Sequence, residues 1–329
     1  MISEIINIDK SYKKALNIFL QKLYPHFTDI YIKYCVDEAC NVENPKSLLV
    51  INDKKEIVGC HLFFHTEAWI KGERRNVFWG HDTFLKEEYR RDIGLDFVLD
   101  ISSVKDSFGY NLSFVNYKIQ KRCPTTTILE SGVRKYCLFN LWLIWGITRK
   151  YLKKVDIPNN MPNTTKSCGM RFLLCPSSEQ IDIPVDGFWN KEYLDVDFIR
   201  DTAFLNKRFF NNPVHHYYVY TNDKADCYFV VRPILFKGIL SLFLVDYRYD
   251  MGCPKMLRVI FNSVKSICHQ MHIGIMLFTT NDKNAELLFS KTKWCKTYKV
   301  DFVANNEKGI LSHDKILVTA ADSDGDFQK

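Results

Sequence analysis

The stretch Val77–Phe97, VFWGHDTFLKEEYRRDIGLDF, decides how the chain is read. Val77 to Leu85 is aromatic and aliphatic enough for a buried strand. Lys86-Glu87-Glu88-Tyr89-Arg90-Arg91 follows as a charged turn. Gly94 stands where the chain enters a helix, with an apolar face expected at Leu95, Val98, Leu99, Ile101, Val104 and Phe108. A loop at a helix start presents unpaired backbone N–H groups and the positive end of the helix dipole, and so attracts phosphate. Arg90 and Arg91 add charge-assisted donors for the same anion.

Upstream, Tyr12–Leu23 sets Ala15, Leu16, Phe19, Leu20 and Leu23 on one helical face, and Pro25 closes that helix. A second helix is expected over Asp29–Cys40. Ser47–Ile51 and Ile57–Ile70 read as strands joined by turn chemistry at Asn52-Asp53-Lys54, and Lys71-Gly72-Glu73 turns the chain into the central strand. Downstream, a strand Tyr110–Tyr117, a short helix over Thr125–Ser131 and an apolar strand Tyr136–Ile147 are expected.

Tyr-Arg-x-x-x-Gly between a strand and an amphipathic helix resembles the acyl-CoA pyrophosphate loop of the GNAT acetyltransferases, whose pattern is Gln/Arg-x-x-Gly-x-Gly/Ala. Arg91-Asp92-Ile93-Gly94-Leu95-Asp96 fits it with Asp96 in place of the last small residue. Opened at Arg90 instead, the pattern puts Ile93 at its first glycine. The order helix–helix–hairpin–strand–loop–helix–strand–helix–strand is similar to that of a complete GNAT domain, spanning Ile2–Thr148. The resemblance implies an α/β fold with a mixed central sheet flanked by helices, and an acyl-CoA co-substrate, acetyl-CoA or another. It also implies a splay between the central strand and the next one, where the pantetheine arm pairs. Leu85 and Lys86 would be its backbone partners, and Arg90, Arg91, Asp92, Ile93, Gly94 and Leu95 would hold the pyrophosphate.

The second half repeats the first in outline. Asn222-Asp223-Lys224 sits between two strands as Asn52-Asp53-Lys54 does, and Lys237-Gly238 precedes the strand Ile239–Tyr247. A helix with Met256, Leu257, Ile260, Val264 and Ile267 on one face follows. Then come a strand Gly274–Thr280, a helix Ala285–Lys291 and a strand Tyr298–Ala304. Two GNAT-like domains result: residues 1–148 with the acyl-CoA loop, a linker 149–169 rich in Asn and Pro, and residues 170–329. In the second copy Asp246-Tyr247-Arg248-Tyr249-Asp250-Met251-Gly252-Cys253-Pro254 lacks the phosphate-loop spacing. Two aspartates would face the anion there, and Pro254 removes a donor. The second copy is therefore expected to shape the acceptor site.

Composition bounds the function. The chain has 329 residues, 47% hydrophobic and 14% aromatic, which excludes a disordered protein. No apolar run has the length of a membrane span and no secretory signal opens it. Eleven cysteines without CxxC pairs suggest a reducing cytoplasm and neither a disulfide framework nor a metal site. A net charge of +7 without a Lys/Arg block suits an anionic small ligand and argues against nucleic acid. Asp322-Ser323-Asp324-Gly325-Asp326 reads as a solvated acidic tail.

Acyl transfer to an amine needs a base, because the attacking nitrogen must be neutral. His81 and Asp82 on the central strand are the candidates, and strand alternation sends them to opposite faces, so one of them faces the pocket. His81 has the better intrinsic pKa. Asn116 and Tyr117 at the end of the neighbouring strand are further polar candidates. In the GNAT family a tyrosine of the last helix often protonates the leaving thiolate; by the same resemblance its positions here are Ile128 and Phe289. Arg208, with His215 or His216, in the aromatic-basic run Phe204–Tyr220 would meet an anionic acceptor. The resemblance implies an N-acyltransferase acting on a small amine, such as a nucleotide-linked amino sugar in surface polysaccharide synthesis. A Fem-type aminoacyl transferase, or a non-catalytic binding protein on the same double fold, is the alternative.

Overall fold

Two hairpins with the same turn chemistry mark the repeat. In the first, Asn52 Oδ1 accepts from the N–H groups of Lys54 and Glu56, and Lys55 adopts φ 60°. In the second, Asn222 Oδ1 accepts from Cys227 N–H, and Ala225 adopts φ 58°. The next turn in each copy is a pair of left-handed residues, Lys71-Gly72 and Lys237-Gly238, as tight hairpin turns require.

The computed structural model describes residues 3–41, 46–110, 114–138, 140–152, 155–181, 190–290, 295–305 and 315–322. The first repeat runs β1 (Ser3–Asn7), α1 (Lys13–Leu23), α2 (Asp29–Ala39), β2 (Leu48–Asn52), β3 (Ile57–Ile70), β4 (Glu73–Leu85), α3 (Arg90–Ser103), β5 (Ser107–Tyr110), α4 (Phe114–Gln120), β6 (Thr126–Leu138) and α5 (Asn140–Tyr151). The rest runs β7 (Thr164–Ser167), β8 (Met170–Cys175), β9 (Val196–Phe198), α6 (Thr202–Leu205), β10 (Tyr218–Asn222), β11 (Tyr228–Phe236), β12 (Ile239–Arg248), α7 (Pro254–Gln270), β13 (Ile275–Thr280), α8 (Lys283–Ser290), β14 (Cys295–Asn305) and β15 (Ile316–Leu317). The α/β class and the helix-flanked mixed sheets agree with the sequence reading.

The chain forms two compact units. The first draws on the described residues of Met1–Ala68, Arg74–Glu130 and Asp301–His313, the second on those of Trp69–Glu73, Ser131–Val300 and Asp314–Lys329. In the first, β1 to β5 lie side by side, with β4 and β5 parallel, and Phe302–Asn305 of β14 closes the sheet against β5. In the second, the order is β7-β8-β10-β11-β12-β13, with β12 and β13 parallel, and Val133–Leu138 of β6 closes it against β13. Each unit thus takes in a strand segment from the other repeat. A division by chain order into 1–148, 149–169 and 170–329 remains a proposal for where each repeat begins and ends, and the compact units cut across it at β6 and β14.

Several elements differ from expectation. The strand expected at Tyr110–Tyr117 stops at Tyr110, and Phe114–Gln120 is helical. The helix expected over Thr125–Ser131 is strand β6, and the strand expected over Tyr136–Ile147 gives way to α5. Short apolar runs carry no period that separates strand from helix, and these were decided by partners distant in sequence. The 149–169 segment contains β7, paired with β8 through a Cys168-Gly169 turn. Helix α3 buries Ile93, Phe97, Val98 and Ile101, while Leu95 and Leu99 are 58% and 43% exposed. The i, i+4 row Tyr89, Ile93, Phe97, Ile101 packs on Val50, Val58 and Phe78 of the sheet, which turns the expected Leu95–Leu99 face outward. Helix α7 buries Leu257, Ile260, Val264 and Ile267 as expected.

Candidate active site

Strand alternation would separate His81 from Asp82, but the backbone at Asp82 is left-handed, at φ 49°. A non-glycine residue there costs on the order of 1 kcal/mol. The distortion suspends the alternation and brings both side chains together: the His81 ring nitrogen Nδ1 lies 2.9 Å from Asp82 Oδ2. The expected opposite facing is therefore corrected to a dyad. A carboxylate only accepts, so Nδ1 is the donor of this bond. His81 Nε2 has no hydrogen-bond partner among the described residues. The ring stacks on Phe64, centroids 3.8 Å apart and 7° between planes. The His81 side chain is fully shielded while that of Asp82 is 13% exposed, so the carboxylate is the accessible end of the pair.

Beneath the dyad lies Cys35 of α2. Its Sγ, a His81 nitrogen and an Asp82 oxygen fall within 4.8 Å of one another, a donor set of the types that hold a soft divalent cation. Sequence reasoning missed Cys35, because a single cysteine on an amphipathic helix gives no spacing to read. On the strand above, Cys60 Sγ donates to Asp82 O at 3.5 Å and His61 Nδ1 meets Thr83 Oγ1 at 2.6 Å.

Strand β4 pairs with β5 at Phe78–Ser107 and Trp79–Phe108 and continues to Leu85; β5 is described as far as Tyr110, and residues 111–113 lie outside the described residues. At the far end of β4 Leu85 is buried and Lys86 N–H donates to Val58 O at 2.9 Å. That bond removes Lys86 N–H as a ready partner for a ligand. The chain then makes one tight helical turn, Glu87–Tyr89, and α3 begins at Arg90, not at Gly94. Tyr89 N–H and Arg90 N–H are used on Lys86 O and Glu87 O. Arg90 Nε donates to Leu85 O at 2.9 Å, which holds this exposed guanidinium against the strand end. Arg91, Asp92 and Leu95 are exposed around it; Ile93 is core. Gly94 is inside the helix, and a Cβ there would meet atoms only at 3.8 Å, so no close approach demands a glycine.

Asn116 and Tyr117 lie on α4 and not on a strand end, both half-buried, with Lys121 Nζ 5.8 Å from the Tyr117 ring centroid. The expected acid position Ile128 falls on β6 and not on a helix, while Tyr117 lies on the helix between β5 and β6. Phe289 is on α8 as expected. In the second unit Arg208 sits on a π-helical turn, Asn206–Phe210, a form frequent at functional sites. Its Nε donates to Ala321 O at 3.0 Å and Nη1 to Tyr217 OH at 3.5 Å. His215 is half-buried, 6.2 Å from the Tyr217 ring, and His216 is exposed.

The second repeat has its own irregularity at the corresponding place. The β11–β12 register slips so that Val230 faces Asp246 and Val231 faces Leu244, leaving Val245 as a bulge. Asp246 lies eight residues before α7, as Asp82 lies eight before α3. Here the carboxylate is fully buried and enclosed. Arg200 Nε, Tyr228 OH, Arg248 Nη1 and Thr319 Oγ1 donate to it at 2.9, 2.7, 3.2 and 2.6 Å. Burial alone would raise its pKa; Arg200 and then Arg248 outweigh this and hold it at about 2. Arg200 also pairs with Asp322. The expectation of a solvated tail is corrected for Asp322, which is buried as a counter-charge; residues 323–329 lie outside the described residues.

No family model and no curated protein matches the chain. Solved structures do. The chain is similar to a conserved protein of unknown function, probable N-acyltransferase, from Enterococcus faecalis V583, with 10% identity, a TM-score of 0.57, and coverage of 94% of this chain and 74% of that one. It is similar to N-myristoyltransferase of Saccharomyces cerevisiae with bound myristoyl-CoA, with 11% identity, a TM-score of 0.53, and coverage of 92% and 82%. It is also similar to a GCN5-related N-acetyltransferase of Anabaena variabilis ATCC 29413, with 11% identity, a TM-score of 0.56, and coverage of 92% and 72%. The likeness is one of fold, and it extends over nearly the whole chain. Among the described residues no helix is long and apolar enough to cross a membrane.

Proposed function

We propose that this protein is an acyl-CoA-dependent N-acyltransferase acting on a small amine, with its chemistry at the His81–Asp82 pair. The observation that carries this reading is the left-handed residue on the central strand, which joins a carboxylate and an imidazole on the length of β4 beyond its described pairing with β5. An acyl-CoA arm pairs with that length of β4 beyond Trp79, and Arg90 and Arg91 with the first turn of α3 hold its pyrophosphate. The likeness in fold to proteins described as N-acetyltransferases and N-myristoyltransferases supports the acyl-CoA part.

The amine arrives protonated and gives its proton to Asp82, the accessible end of the dyad, while His81 shares the charge through Nδ1. The neutral nitrogen then adds to the thioester carbonyl. Backbone N–H groups of β4 beyond Trp79 are the donors proposed for the oxyanion. Collapse breaks the C–S bond, the departing thiolate takes a proton from Tyr117 on α4, and the tyrosinate recovers one from the nitrogen, which sheds its second proton to become a neutral amide. Asp82 returns the first proton to solvent. Asn116 lies beside Tyr117 on the same short helix and helps position the acceptor. Arg208 and His215 in the second repeat contribute to holding the acceptor, with nucleotide-linked amino sugars as the first class to assay.

The test is thermal unfolding with CoA, acetyl-CoA and myristoyl-CoA, followed by thiol release with an amine panel. A ligand at a hundredfold excess over its Kd stabilises by about 2.7 kcal/mol. The expected result is stabilisation by at least one acyl-CoA, lost in the Arg90→Ala/Arg91→Ala variant. An unfolding midpoint indifferent to every CoA species ends this reading.

A further inference from the structure

Strand β11 alternates toward an apolar face: Tyr228, Val230 and Ile234 pack with Tyr217, Val219, Phe243 and Val245. Arg232 stands between Val230 and Ile234 on that face, where alternation calls for an apolar residue. It is 6% exposed. Its Nε and Nη2 have no hydrogen-bond partner among the described residues, and its guanidinium carbon lies 5.9 Å from the Tyr217 ring centroid. Arg208 approaches the same ring at 5.9 Å. Two buried guanidinium groups therefore flank one tyrosine.

The two unpartnered nitrogens define one edge of the guanidinium, whose parallel N–H groups match the two oxygens of a carboxylate. Other arginines of this chain use that edge in this way. Arg200 holds Asp246 through Nε at 2.9 Å and Nη2 at 3.4 Å, and Arg74 holds Glu67 at 2.9 and 2.6 Å. Arg248 also leaves this edge without a hydrogen bond, but Asp197 Oδ1 stands 3.9 Å from its Nε as counter-charge. Arg232 has no carboxylate beside it among the described residues. A buried charge in that state destabilises the fold unless a ligand compensates.

We infer that the second repeat contains a binding site for a carboxylate ligand, with the Nε–Nη2 edge of Arg232 as its anchor and Arg208 and Tyr217 beside it. This goes beyond the acyl-transfer reading and rests on the second unit alone. Sequence reading singled out Arg208 and passed over Arg232, although the charge interrupting Tyr228-Phe229-Val230-Val231-Arg232-Pro233-Ile234 was the available signal.

The experiment compares unfolding midpoints in sodium acetate, sodium phosphate and sodium chloride at matched ionic strength. The parent protein is expected to show a saturating rise with acetate over chloride. Arg232→Met should abolish that rise while being at least as stable as the parent in chloride, since an apolar side chain of similar length replaces an uncompensated charge. Equal midpoints for the parent in acetate and chloride overturn the site, as does an acetate response retained by Arg232→Met. A fall in the chloride midpoint of Arg232→Met gives the residue a structural role and also overturns it. A response to phosphate alone overturns the carboxylate assignment. Arg90→Ala/Arg91→Ala should keep the acetate response while losing that to acyl-CoA, so failure of either reading is seen separately.

Discussion

Asp82 and Asp246 occupy the same place in the two repeats, each on a distorted central strand eight residues before the helix that follows. Their surroundings differ. Asp246 is enclosed by two arginines, a tyrosine and a threonine, so its lone pairs are committed to the protein. Asp82 has one imidazole and an exposed edge. The helix starts differ in parallel: before α7, Gly252 N–H is taken by Asp250 Oδ1 and Met251 N–H by Asn190 Oδ1. Before α3, two exposed arginines surround the first turn. A distorted strand carries an enclosed ion-pair network in the second copy and a dyad with an accessible carboxylate in the first.

The comparison breaks first on stability. Removing one partner of a buried ion pair costs about 3–5 kcal/mol, because the other charge is stranded. Arg200→Met or Asp246→Ala should therefore lower the unfolding free energy by that amount in urea titration. Asp82→Asn should cost under about 1 kcal/mol, as a partly exposed carboxylate with one partner. Equal losses at the two aspartates would mean that Asp82 is structural as well.

Turnover reverses the order. Asp82→Asn and His81→Gln should each lower kcat by about a hundredfold, the usual range for a lost acid–base group, with acyl-CoA affinity unchanged. Arg90→Ala/Arg91→Ala should do the opposite, weakening acyl-CoA binding by about a hundredfold or more, at about 1.5 kcal/mol or more per lost contact, with kcat at saturation retained. A joint loss of kcat and acyl-CoA affinity in His81→Gln would place the imidazole in folding or ligand binding.

Much of the second repeat was legible because its signals are local. The α7 face Leu257, Ile260, Val264, Ile267 and the Asn222 and Lys237-Gly238 turns each lie within a few residues. The first repeat was legible as far as α3. Beyond it, the apolar run Leu141-Trp142-Leu143-Ile144-Trp145 reads as a strand and folds as a helix, since neither period dominates in so short a run. The exchange of β6 and β14 was invisible, because pairings such as Val133 with Thr280 depend on chain segments far apart. At the site, His81 and Asp82 were found by residue type. Their union was not, because it depends on a left-handed backbone that no glycine announces.

The smallest expected difference between the repeats is one of pH. His61 on β3 is buried against Gly80, where an added Cβ would meet His61 Nε2 at 2.8 Å, and β11 and β12 contain no histidine. Burial, and then the nearby His81, pull its pKa down to about 3, against the opposing pull of Asp82. An unfolded histidine titrates near 6.5, so between about pH 6.5 and 3 the unfolded chain binds a proton that the folded one refuses. Stability from this group is complete well above pH ~6.5 and falls as pH drops, with a slope approaching about 1.4 kcal/mol per unit. From pH 6.5 to 5 the loss comes to about 2 kcal/mol. His61→Gln should remove this slope in urea titrations at pH 7, 6 and 5. If the variant and the parent lose stability in parallel over that range, His61 accepts its proton in the folded state, and acid sensitivity does not separate the two repeats.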